Sequence, residues 1–394
     1  MIHLFINALS ASAGGGLTYV RNVLPCLIDR NDVQTTLLIG EELHQETNDS
    51  GRLKVLKAAC RNTANRFWYE QRSLPAIIRR TGAHVLLSTG NFALFRSPVP
   101  QILLSRNALY TSADFFRDLR RRGDYRLWLD SVIKGALAKK SVQSADSTVA
   151  PSKSFASDLS RWSGRPVLSI HHGFSRKTFF GEDVMLPRPA LAKLAATQGA
   201  LRILLVSHYS YYRNFETLIR AIAILKKQLH PQPVRLILTC KLANGENPGS
   251  YRAESAAALV ENLRLGEEVV ELGSIPYAAL HHLYGSCDFY VSPAYAETFA
   301  HPLVEAMASG LPVIASDLAV HREICGSAAE YFSRFSSQEL ADCILRFSRW
   351  PERKAQMREH GLARSRDFSW EKHVEQLLQL AHRLADPRAG SREV

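Results

Sequence analysis

The sequence predicts an α/β protein of two doubly wound parallel domains facing each other across a cleft, and three observations carry that expectation. Short apolar runs recur with amphipathic stretches between them, the pattern of parallel strands wrapped by helices. The runs form two series, separated by a stretch from Gly181 to Ala200 rich in small residues, prolines and charges, where a hinge is expected. A chain of 394 residues also exceeds one ordinary core, which sets a prior of roughly two to three domains. Two series make it two.

The first run, HLFIN from His3, leads into Gly14, Gly15 and Gly16 and then the helical stretch LTYVRNVLPCLI. Glycines there let the backbone approach an oxygen-rich group and present N–H donors at a helix start, although such a loop alone is also a plain turn. The apolar start imitates a signal peptide, but it lacks a basic n-region and Asn7 interrupts it. TLLIG from Thr36, HVLLST from His84, QILLS from Gln101, STVAPS from Ser147 and VLSIHHG from Val167 complete the first series. The second is RILLVS from Arg202, VRLILTC from Val234, VVELGS from Val269, FYVSP from Phe289 and PVIAS from Pro312. Between its last two runs Pro302 suits the first position of a short helix, and Gly310 its left-handed end. SWEKHVEQLLQLAHRL from Ser369 has helical apolar spacing over several turns. No apolar run approaches the ~20 residues that span a bilayer.

Composition is that of an ordinary globular protein, 46% hydrophobic and 22% charged. The six cysteines show no CxxC pair and no histidine cluster at metal spacing, so they read as reduced, mostly core thiols of a cytoplasmic protein without a metal. A net charge of +12 asks for nucleic acid, anionic lipid or a phosphorylated substrate. From Arg117 to Lys140 eight basic residues stand against three acids, interleaved with Tyr125 and Trp128 and preceded by Phe115 and Phe116. That mixture suits an anionic membrane surface, and Arg61, Arg66, Phe67, Trp68, Tyr69 and Arg72 make a similar one. A solvated helix with its aromatics turned inward is the other reading of both segments.

The most informative stretch is AETFAHPLVEAMASGLPVIASD, which sets Glu297 and Glu305 around the start of one short helix. Backbone N–H groups of Thr298, Phe299, Ala300 and His301, with the helix dipole, can face a diphosphate. Carboxylates would repel a bare phosphate but accept hydrogen bonds from hydroxyls. Two of them flanking an anion site therefore point to a ligand with hydroxyls on both sides of its phosphates, such as a nucleotide sugar.

This stretch resembles the family-4 retaining glycosyltransferases, the "group 1" type, whose signature is glutamate, seven residues, glutamate, then an apolar helix and a Gly-x-Pro-Val-Ile turn. The resemblance extends over nearly the whole chain and implies the GT-B fold, two Rossmann-like domains facing across a cleft. Residues 1–185 would form the acceptor domain, 186–370 the nucleotide-sugar domain, and 371–394 a C-terminal helix packing back on the first. It further implies that Glu297 holds hydroxyls of the transferred sugar and Glu305 the ribose. Thr298, Phe299 and Ala300 would then offer N–H groups to sugar and phosphate. Gly15 and Gly16 would lie against the donor diphosphate and acceptor. The family's phosphate-gripping arginine and lysine correspond to His208 and Arg213 in VSHYSYYRNF. The base would meet the backbone of Gly273, Ser274 and Ile275. At the turn after QILLS, where the family often has a histidine, this chain has Arg106 and Asn107. Of the pair His171 and His172, the second is the candidate replacement, with a purely structural role as the alternative and Gly173 expected to make the turn.

In a retaining transfer of this type the departing phosphate oxygen takes the acceptor's proton, so no protein nucleophile is needed. The chain shows no nucleophile elbow and no Asp-x-Asp pair for a metal. The expected function is transfer from a nucleoside-diphosphate sugar, with UDP- and GDP-sugars leading the candidates and no other cofactor, to a glycan or lipid-linked acceptor. Lipopolysaccharide, capsule or exopolysaccharide synthesis at the inner face of the cell membrane is the expected setting, with peripheral contact through the basic first-domain segments. Glu297→Ala is expected to abolish transfer with the fold intact. A nucleotide-sugar epimerase of similar fold and a non-enzymatic basic nucleic-acid binder are the alternatives. The second lacks any recognised nucleic-acid motif.

Overall fold

The computed structural model describes residues 1–11, 14–40, 43, 47–60, 62–181 and 184–386. Arg61 therefore lies outside the described residues, as do Glu182 and Asp183 of the expected hinge.

Two compact units emerge. The first draws on Met1–Thr111, Leu129–Gly173 and the C-terminal segment from Ser369; the second on Ser112–Trp128 and Phe174–Phe368. The sequence reading set boundaries at 185 and 370; the units change after Gly173 and again after Phe368, and Ser112–Trp128 groups with the second unit.

The first unit holds a seven-stranded parallel sheet of β1 (Ile2–Ala8), β2 (Val33–Ile39), β3 (Leu53–Lys57), β4 (Val85–Ser88), β5 (Gln101–Leu104), β6 (Ser147–Ala150) and β7 (Leu168–Ser169). Their spatial order is β3-β2-β1-β4-β5-β6-β7. The second unit holds β8 (Leu201–Leu205), β9 (Val234–Leu238), β10 (Val269–Glu271), β11 (Phe289–Ser292), β12 (Val313–Ser316) and β13 (Ala329–Phe332) in the order β10-β9-β8-β11-β12-β13. Both are doubly wound. The central strands are buried on both faces, which is why they read as continuous apolar runs. Two strands escaped the sequence reading, β3 (LKVLK) and β13 (AEYF), and both lie at a sheet edge. The opposite edges, β7 and β10, were read, so what hides β3 and β13 is the charge that an edge tolerates within them, two lysines in the first and a glutamate in the second.

Helix Trp370–Ala385 packs within the first unit. Its Trp370, Val374, Leu377, Leu378 and Ala381 share a core with Leu4 and Ile6 of β1 and Tyr19 and Val23 of helix Gly14–Ile28. Gly173 earns its place by close approach and not by a turn: a Cβ there would lie 2.1 Å from the Trp370 nitrogen. The segment Gly181–Ala200 includes a helix, Arg188–Ala195, inside the second unit. No helix among the described residues is long and apolar enough to cross a membrane.

Candidate functional site

In an open parallel sheet, ligands gather beyond the carboxyl ends of the strands where the strand order reverses. In the second unit that point lies between β8 and β11. The loop after β8 carries His208 and Arg213; the loop after β11 carries Glu297 and Thr298. The two loops are tied by the Tyr295 N–H donating to Tyr212 O at 2.9 Å. One ion pair follows directly: Arg213 Nη1 donates to Glu297 Oε2. The bland alternative for Arg213, a pair with Glu216, is not what forms, because Glu216 is taken by Arg122 at 2.8 Å.

The Thr298 N–H donates to Glu297 Oε1 at 2.9 Å, so both oxygens of this carboxylate are held. Burial pushes Glu297 up, but Arg213, the Thr298 N–H and His321 outweigh it and hold the carboxyl below its usual value. Burial likewise opposes the Arg213 cation, and Glu297 more than restores it. His208 behaves otherwise: burial, then Arg213, pull it down to about 4, so it is neutral at pH 7. Of the two residues expected to grip phosphate, Arg213 alone is therefore cationic at pH 7.

Ala300 adopts a left-handed φ of 65° and caps helix His301–Ala308. The helix begins one residue earlier than the proline signal implied, with Pro302 second, and Gly310 at φ 67° closes its far end. Glu305 sits on the buried face of this helix and accepts from Tyr284 Oη at 2.8 Å. Burial raises it to about 7 against hydrogen bonds from Tyr284 and Tyr277. Tyr277 follows Gly273, Ser274 and Ile275, of which Gly273 is buried at φ 80° and Ser274 exposed. No spacing rule joins the two tyrosines to Glu305; they meet only in the folded chain.

His321 was also missed. It is fully buried, and its Nδ1 lies 2.9 Å from Ser316 O and 3.2 Å from Ser316 Oγ. Ser316 Oγ in turn donates to Ala294 O, below the loop that carries Glu297.

The segment Ser112–Trp128 braces both loops. Tyr295 Oη donates to Asp118 Oδ2 at 2.8 Å, and Arg122 Nε donates to the same carboxylate at 2.9 Å. The Arg122 guanidinium lies 4.4 Å from the Tyr211 ring centre, and Tyr211 Oη donates to Asp124 Oδ2 at 3.1 Å. Phe115 and Leu119 are buried. This corrects the expectation of one basic surface from Arg117 to Lys140 in the acceptor domain: its first half belongs to the second unit, with Arg122 committed to carboxylates.

In the first unit Gly15 and Gly16 lie at the start of helix Gly14–Ile28. Asn107 caps the turn Ala108–Tyr110 by accepting from Leu109 N at 2.9 Å. His172 is buried in an aromatic box, its ring centre 5.4 Å from Tyr19, 5.5 Å from Trp370 and 5.5 Å from His373. The described residues contain no group of three or more metal-ligating side chains. Cys26, Cys240, Cys287, Cys325 and Cys343 are free thiols, and Cys240, Cys325 and Cys343 are buried.

Residues 190–364 match the family described as glycosyl transferases group 1. A D-inositol 3-phosphate glycosyltransferase of Nocardia farcinica is 26% identical over 206 residues, covering 50% of this chain and 45% of the relative. An O-antigen chain mannosyltransferase B of Escherichia coli is 30% identical over 100 residues, 25% of this chain and 26% of the relative. The chain thus spans less than half the length of these two relatives. Among solved structures, Anabaena HepE in complex with UDP-glucose superposes with a TM-score of 0.68 at 19% identity, covering 98% of this chain and 100% of that one. That likeness bears on the fold, which is GT-B.

Proposed function

Because residues 190–364 match the group 1 glycosyl transferases, we propose that the protein moves a sugar, with retention, from a nucleoside-diphosphate sugar to a glycan or lipid-linked acceptor. The observation that carries this reading is the Arg213–Glu297 pair formed where the β8 and β11 loops meet, with Glu305 eight residues on along the same segment. Arg213 supplies the cation for the diphosphate, and its planar fork can hold two phosphate oxygens. Glu297, kept ionised, accepts from hydroxyls of the sugar. Glu305 serves the ribose, exchanging its tyrosine donors for ribose hydroxyls. N–H groups around Phe299 and Ala300 take sugar and phosphate oxygens.

The chemistry needs no redox partner. The bond from the anomeric carbon to the phosphate oxygen breaks, a bond to the acceptor oxygen forms on the same face, and the acceptor's proton passes to the departing phosphate. Protein groups contribute position and stabilise the growing negative charge, Arg213 above all.

The acceptor setting remains polysaccharide assembly at the inner face of the membrane. Support comes from the O-antigen mannosyltransferase relative and from an exposed apolar strip, Leu129, Val132 and Ile133, near exposed Lys139 and Lys140. Binding to anionic vesicles is expected and should fade as salt rises.

Incubation with UDP-, GDP-, ADP- and dTDP-sugars tests the core claim. Slow release of free nucleoside diphosphate supports it; isomerised sugar without release indicates an epimerase; absence of binding to any of them defeats it. Glu297→Gln is the sharper variant than Glu297→Ala, since both remove the counter-charge of Arg213 but the amide oxygen can still accept its hydrogen bond, whereas alanine leaves it no acceptor and costs about 3 kcal/mol of stability. Transfer should fall at least about a hundredfold in Glu297→Gln with a smaller drop in melting temperature than in Glu297→Ala, and wild-type turnover would remove the donor assignment.

A further inference from the structure

Among the described residues Arg106 is a cation without a counter-charge. It follows β5, its backbone N–H fixed by Asn91 Oδ1 at 2.9 Å. The half-buried guanidinium donates from Nη1 to Gly15 O and from Nη2 to Thr89 O, each at 2.7 Å, and its carbon lies 5.2 Å from the Tyr19 ring centre. Both acceptors are neutral carbonyls. Arg213 has Glu297 and Arg122 has Asp118 and Glu216, yet no carboxylate among the described residues pairs with Arg106. Nε–H and the second N–H of each terminal nitrogen have no protein acceptor among those residues. A cation withdrawn from water ordinarily has an ionised partner.

Its surroundings add to the deficit. Helix Gly14–Ile28, 15 residues long, points its positive end here, with the first N–H groups free of intrahelical partners. A Cβ on Gly16 would stand 3.5 Å from Nη2 and 3.3 Å from the Ala11 Cα, so only glycine leaves the edge of the guanidinium uncovered. Burial, with Arg106 contributing, holds His373 down at about 4, so it is neutral at pH 7, and burial raises Tyr19, so its phenol stays protonated; neither balances the guanidinium. Burial pulls Arg106 itself down to about 10, with Tyr19 alone opposing.

We propose that Arg106 anchors an anion subsite in the first unit that takes a phosphoryl group of the acceptor, the phosphate oxygens completing the open side of the guanidinium beside the glycine loop. The claim rests on the donor–acceptor reading above, in which the first unit receives the acceptor. A fork plus helix-start amides offers donors to more oxygens than a carboxylate has, which favours phosphate.

Calorimetric titration of the full chain with inorganic pyrophosphate, alone and under saturating UDP or GDP, tests it. Binding should persist beside the nucleotide, weaken about tenfold or more in Arg106→Gln, and recover in part in Arg106→Lys. Nucleotide affinity should stay within about twofold in both variants. Pyrophosphate binding indifferent to Arg106→Gln, or absent in the wild type, overturns the subsite and leaves Arg106 a clamp between two carbonyls. Competition by the nucleotide, joined to lost nucleotide affinity in Arg106→Gln, assigns the guanidinium to the donor diphosphate and also overturns it. If no nucleotide binds, the donor reading fails separately, and comparison of Arg106→Gln with Arg213→Gln still locates the pyrophosphate.

Discussion

Glu297 and Glu305 carry the same functional group with pKa values displaced in opposite directions. The first is pinned by a guanidinium and a backbone N–H, the second by two neutral phenols, and burial acts on both. For Glu305 the consequence is a pH dependence of known sign. Its folded pKa of about 7 lies above the ordinary 4.5, so its contribution to stability is complete below pH ~4.5 and is lost as pH rises through about 7. The full loss is on the order of 3 kcal/mol. Urea melts from pH 4.5 to 8 should show wild type falling relative to Glu305→Gln across that window, and parallel curves would contradict the burial argument. The signature made both carboxylates legible as residues. It said nothing of Tyr284, Tyr277 or His321, because those contacts arise from packing between segments with no shared spacing. His208 was legible as a departure, and burial explains why the departure is tolerated: a neutral imidazole beside Arg213 costs less than a second buried cation.

At the level of elements, apolar runs located eleven of the thirteen strands among the described residues, the central ones because parallel strands covered on both faces must be apolar throughout. Edge strands β3 and β13 fell outside that logic. The basic segment that begins in helix Ala113–Arg121 was legible as charge, but its partner was not, since charge spacing cannot tell a solvated arginine from Arg122 seated between Asp118 and Glu216. The brace it forms predicts a local effect. Asp118→Asn should weaken the hold on Tyr295, so amides of 211–213 and 295–298 should exchange with deuterium about tenfold faster. Unchanged protection at those amides would reduce the segment to a passive packing element. Hydrogen exchange needs no substrate, so the result stands apart from any assay of transfer.

For the molecule as a whole, the first unit closes its core with a helix from the far end of the chain. Gly173→Ala drives a methyl group into the Trp370 backbone and should cost about 3 kcal/mol, seen as a lower melting temperature and earlier proteolytic release of the segment after Phe368. A variant that melts like wild type would mean the helix docks without that contact. The order of the apolar runs, the glycine loop and the paired glutamates were set down in the linear chain, because strand burial, backbone permissiveness and hydrogen-bonding chemistry are local properties of residue types. Which segment joins which unit, which acid meets which base, and which arginine is left without one were decided only on folding, because desolvation and pairing energies depend on neighbours that lie tens to hundreds of residues away.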